Sequence, residues 1–154
     1  MKFDLQFFTE ISHHSEIEPE LLMAIAKTES GLNPNTARYE PRWQYHLDVT
    51  TWAKKLRISR DTEKVLQSIS WGLMQVMGTV ARENGFDKHL TQLINPNYNV
   101  LIAIRKLEYL DRKYDSIEEI VSAYNQGWPR KDEDGNFVNC RYVSMVMGFY
   151  KTLK

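Results

Sequence analysis

Apolar side chains recur along this chain every three or four residues, and no sustained run alternates them with polar ones. That spacing belongs to helices that bury one face. It predicts a short amphipathic helix from Phe3 to His14 carrying Leu5, Phe8 and Ile11. A stronger one follows within Glu18 to Pro34, EPELLMAIAKTESGLNP, where Leu21, Leu22 and Ile25 form the stripe. Ser15 and Glu18 stand ahead of it at capping-box spacing. Pro19 suits its first turn, and Ser30-Gly31 with Pro34 beyond them end it.

Residues 40–69 then make a long excursion. Trp43, Leu47, Trp52 and Leu56 predict one or two short helices beginning near Pro41, and Ser59 caps another carrying Val65, Leu66 and Ile69. Trp43, Tyr45 and Trp52 read as packing residues rather than sugar platforms, because amphipathic helices need large side chains to bury. Gly72 is predicted to open a helix bearing Leu73, Val76, Met77 and Val80, closed by Asn84-Gly85. Asn95-Pro96 starts the longest helix, with Val100, Leu101, Ile104, Leu107, Tyr109, Leu110 and Tyr114 as its stripe. Ser116 and Glu119 make a second capping box for a helix ending at Gly127, and residues 128–138 form a loop with a turn at Asp134-Gly135. A last helix carries Tyr142, Val146, Phe149, Tyr150 and Leu153. The expected fold is all-α, one domain over residues 1–154, with at most a minor β-hairpin.

Composition narrows the function classes. A chain of 154 residues buries roughly 70% of its unfolded surface without staples. Its 20 basic and 20 acidic side chains cancel, so no global field draws it to nucleic acid. Cys140 is the single cysteine, which excludes an internal disulfide and predicts a buried free thiol. His13, His14, His46 and His89 lack ligand spacing, so neither a metal nor another cofactor is expected. No apolar run is long enough to span a membrane, and the N-terminus lacks a secretory core.

The chemistry points to Glu29. At helical rotation it lies about 20° from Leu22 and 40° from Ile25, on the buried stripe of the last turn. A carboxyl placed there sits where the core meets a surface cleft. Burial disfavours its charged form and raises its pKa, as a general acid near neutral pH requires.

Three clusters stand in order, ESGLNP at 29–34, SWGLMQVM at 70–77 and SAYNQG at 122–127, followed by RYVSMV at 141–146. Together they resemble the soluble lytic transglycosylase family, which is related to goose-type lysozymes. The resemblance spans about residues 18–150 and implies a lysozyme-like helical fold around a long central helix, with Glu29 as the catalytic acid. It implies that Gln75, through its amide, and Met77 line the cleft near the cleaved sugar. Tyr124 would bring its hydroxyl to Glu29 or the substrate. Asn125 would hold a turn or bond the glycan, and Tyr142 would close the far wall. Two departures stand out: residues 40–69 replace a short Gly-rich link, and Asn139-Cys140-Arg141 replaces an acidic residue ahead of the last-helix tyrosine.

The implied substrate is the glycan strand of peptidoglycan, cut between N-acetylmuramic acid and N-acetylglucosamine by one acid/base. A muramidase using Glu40 as second carboxylate is the alternative, with Asp48 and Asp61 as weaker choices. A catalytically idle glycan-binding module is the third reading. The expected state is a monomer. It would reach the wall from a phage particle, through a membrane lesion or by another export route, or be a chain trimmed of its leader.

Overall fold

A computed structural model describes residues 2–154. Among them, 56% are helical, in eight α-helices and one short 3-10 helix (Leu90–Ile94), and a small three-stranded antiparallel sheet completes the fold. The mostly-α fold expected from the spacing, of the lysozyme-like class that the resemblance implied, is what forms.

Helix α1 (Leu5–Ile11) is shorter than its apolar run, with Phe8 fully buried. Helix α2 (Pro19–Ser30) starts at its proline and ends where Gly31 turns left-handed, φ 62°. Gly31 N–H donates to Lys27 O and Leu32 N–H to Ala26 O, a pair of bonds that closes the last turn. The expected capping box does not form. Ser15 Oγ donates to Glu108, and the Glu18 carboxylate accepts from Tyr150 and Lys154.

Strand β1 (Ala37–Tyr39) pairs with β2 (Ile69–Trp71), which pairs with β3 (Val76–Met77). The excursion between β1 and β2 contains α3 (Val49–Leu56) and α4 (Arg60–Gln67), the latter capped by Ser59 as expected. Pro41 starts no helix. Gly72 opens no helix either: residues 72–75 are the turn of a β2–β3 hairpin, and only α5 (Gly78–Glu83) is helical in that stretch. Gly72 stands at φ +70°, where a Cβ would lie 2.6 Å from Asn99 Nδ2 and 2.7 Å from Leu93 O. The hairpin is packed too closely on the helix behind it for any larger residue there.

That helix, α6 (Pro96–Asp111), is the longest and begins at Asn95, whose side chain accepts from Asn97 and Tyr98 N–H. Leu107 and Val100 are fully buried, but Leu101 and Tyr109, expected on the stripe, are exposed. The buried face takes in Ile102 and Ala103 instead, beside the expected Ile104 and Leu110. Helix α7 (Ile117–Gln126) is capped by Ser116, and α8 (Cys140–Leu153) packs against α2 more extensively than any other pair of elements. The predicted turn at 134–135 forms, with a bridge between Lys131 and Phe137. Cys140 is exposed, contrary to expectation, because it lies at the N-terminal end of α8 where the helix leaves the core. No helix among the described residues is long and apolar enough to cross a membrane.

Candidate active site

Glu29 stands on the last turn of α2, half-buried, on the wall of a cleft of about 1220 Å³. Burial is the strongest influence on its carboxyl and raises its pKa. A hydrogen bond from Tyr142 and the positive charges of Lys106 and Arg38 pull the other way. Tyr142 Oη donates to Glu29 Oε1 at 2.7 Å. Burial first, and then Glu29, hold the Tyr142 phenol well above its ordinary range, so it remains a donor. The last-helix tyrosine therefore touches the acid itself and is not among the residues lining the cleft. One carboxyl oxygen, Oε1, is held by Tyr142; Oε2 makes no hydrogen bond among the described residues.

The three motif clusters meet at the hairpin turn 72–75. Ser30 Oγ donates to Leu73 O at 2.8 Å, Tyr124 Oη donates to Met74 O at 2.8 Å, and Asn99 Oδ1 accepts from Met74 N–H at 2.8 Å. Gln75, at φ 47°, folds its amide inward. Its Nε2 donates to Gly72 O at 3.0 Å and Thr36 O at 3.1 Å, and its Oε1 accepts from Ser70 at 3.1 Å. A short turn with unpaired backbone groups against the core would be costly, and these side chains satisfy it. Gln75 thus lines the cleft, but its amide is committed to holding the turn. Tyr124 is buried and bonds the turn instead of Glu29.

Met77 lines the cleft beside Val80. Asn125 is exposed at the same cleft, and its Oδ1 accepts from Asn139 Nδ2 at 2.9 Å. Glu40 also lines it, with Oε1 engaged by Arg38 Nε at 2.6 Å. Asp48 and Asp61 do not; Asp61 belongs to a separate surface depression with His46 and Lys64.

Sequence reasoning missed Lys106. Its Nζ donates to Tyr124 O at 2.6 Å and lies 4.2 Å from the Tyr124 ring centre, in the cleft wall. Burial lowers its pKa to about 8, against the opposing pull of Glu29 and Glu83. The signal was present: at helical rotation Lys106 falls about 40° from both Ile102 and Leu110, a lone cation on an apolar stripe.

The family model of the Transglycosylase SLT domain matches residues 6–138, which include Glu29 and the whole hairpin. The chain belongs to that family. Neither the curated proteins nor the solved structures compared with it give a match. SLT domains act on cell-wall peptidoglycan. The match stops just before α8, the helix from which this SLT domain takes Tyr142.

The excursion is part of this SLT domain's cleft. Trp43 and Tyr45 line it; Tyr45 is 67% exposed, so the expectation of packing does not hold for it, whereas Trp43 is half-buried. Trp52 does pack, 4.3 Å from the Arg82 guanidinium. Arg82 forms a two-pronged, fully buried ion pair with Glu63 at 2.8 and 3.0 Å and donates to Phe86 O and Lys88 O. Buried charges are tolerable when every donor and acceptor is met, and here they tie α4 to α5.

Proposed function

We propose that this SLT domain is a peptidoglycan lytic transglycosylase that cuts the β-1,4 bond between N-acetylmuramic acid and N-acetylglucosamine, with Glu29 as its sole acid and base. The observation that carries the reading is a carboxyl raised by burial, opening on a cleft, with one oxygen held by a tyrosine. Oε2 donates its proton to the glycosidic oxygen as the bond to C1 breaks. The N-acetyl carbonyl of the muramic residue stabilises the cationic C1, a substrate-assisted variant of glycoside cleavage. Glu29, now ionised and favoured by Tyr142, Lys106 and Arg38, takes the proton of the C6 hydroxyl. O6 closes on C1 to give a 1,6-anhydro end, and no water is consumed. Intramolecular attack supplies through effective molarity what a second protein carboxylate supplies elsewhere.

Hydrolysis assisted by Glu40 is the second reading, favoured by its place on the same cleft. Its ion pair with Arg38 counts against it as a base. We take the chain to act as one catalytic domain and as a monomer. Mass spectrometry of sacculi digested by the purified protein tests the main reading. Anhydromuramic ends are expected; reducing ends would replace it with the muramidase, and no cleavage with the binding module.

A further inference from the structure

We infer that the excursion carries a sugar-binding platform of its own, made by Trp43 and Tyr45, which holds a pyranose of the glycan strand beside the Glu29 site. The inference rests on the reading of the cleft as a glycan groove. The two rings meet edge to face, centres 5.4 Å apart and planes at 77°. Such a corner presents the apolar face of one ring and the edge of the other to the cleft, a shape that suits the C–H face and hydroxyls of a sugar.

What sets this corner apart from ordinary surface residues is how firmly the Trp43 ring and the backbone of Tyr45 are held. Residues 40–48 contain neither helix nor strand, yet the Trp43 indole N–H donates both to Tyr45 O at 3.1 Å and to Thr79 Oγ1 at 3.0 Å. Thr79 Oγ1 in turn donates to Gln67 O at 3.2 Å. The Gln67 amide clasps both backbone groups of Leu47, at 2.8 and 2.9 Å, and donates to Glu63 at 2.9 Å. An unbroken chain of bonds therefore runs from the platform to the buried Glu63–Arg82 pair. A rigidly held ring loses little freedom when a ligand stacks on it, which is the condition for useful affinity. Tyr45 is left 67% exposed at the end of this scaffold, on the same cleft as the acid.

The test uses the full chain carrying Glu29→Gln, so that ligand is not consumed, and titrates it calorimetrically with the tetramer of β-1,4-linked N-acetylglucosamine. Tyr45→Ala on that background is expected to raise Kd about tenfold, and Tyr45→Phe to leave it near the parent value, because the ring and not the hydroxyl makes the contact. In the active chain, Tyr45→Ala should raise KM on sacculi with kcat little changed. Equal Kd values for the parent and Tyr45→Ala would overturn the platform alone. Failure of the parent to bind the tetramer at all would overturn the platform and the glycan reading beneath it.

Discussion

The phenol of Tyr142 donates to Oε1 of Glu29 at 2.7 Å, joining the first turn of α8 to the last turn of α2. At the opposite end of the same antiparallel pair, Tyr150 donates to Glu18 at 2.7 Å. The acid is therefore carried by a helix pinned at both ends. The Tyr142 bond has two effects: it fixes the carboxyl rotamer, and it offsets part of the burial that raises the Glu29 pKa.

Tyr142→Phe removes both effects. A hydrogen bond to a charged group contributes about 1.5–3 kcal/mol, so turnover on sacculi should fall by roughly tenfold to a hundredfold. The alkaline limb of the pH–rate profile should move to higher pH, since the ionised acid loses a stabilising donor. A limb that stays in place would show that the bond is structural only.

Glu29→Gln should abolish anhydro-sugar release, because the amide cannot donate the catalytic proton. It also carries a stability signature with a definite sign. The native carboxyl holds its proton to higher pH than the unfolded one, so stability is full below the ordinary carboxyl range and declines as pH rises through the raised native pKa. The Gln variant escapes that decline. Melting temperatures should coincide near pH 4 and favour the variant at pH 7.

Lys106→Met removes a positive charge that favours ionised Glu29. The alkaline limb of the rate profile should shift upward, as for Tyr142→Phe but without loss of the carboxyl's hydrogen bond. Measuring the profile for the single and double variants distinguishes charge from bonding: independent contributions give additive shifts.

Arg82→Met leaves the Glu63 carboxylate buried without its partner, which costs about 3–5 kcal/mol. Combining it with Glu63→Leu should recover most of that in urea denaturation. No recovery would mean that the wider network of Gln67, Phe86 and Lys88 matters more than the ion pair.

The sequence was most readable where one residue type has one local use. Pro19 and Gly31 bounded α2, and Ser59, Asn95 and Ser116 each cap a helix as their positions implied. It misled at residues 70–77. There Leu73, Val76 and Met77 fall at helical spacing, but the backbone is a hairpin whose strands are too short to show alternation. Glu29 was legible because its rotation on α2 depends on that helix alone. The assignments of Tyr124 and Tyr142 were not: both lie on helices whose angular position is readable, yet which of them reaches the acid depends on how α7 and α8 pack. Tyr142 reaches Glu29, and Tyr124 reaches Met74. The excursion was hardest, since its aromatics are oriented by Thr79 and Gln67 at 36 and 20 positions' remove from Trp43 and Leu47.

The place where similarity to the family stops, residue 138, has a practical meaning for anyone trimming this protein. A fragment ending there would retain Glu29 and the hairpin but expose the flank of α2 that Val143, Val146 and Met147 cover. Burying an aliphatic side chain is worth about 1.5–3 kcal/mol, so losing three of them approaches the whole stability of a small domain. Such a fragment would contain Glu29 yet fail to fold around it: the shortest stable form must run through the final helix.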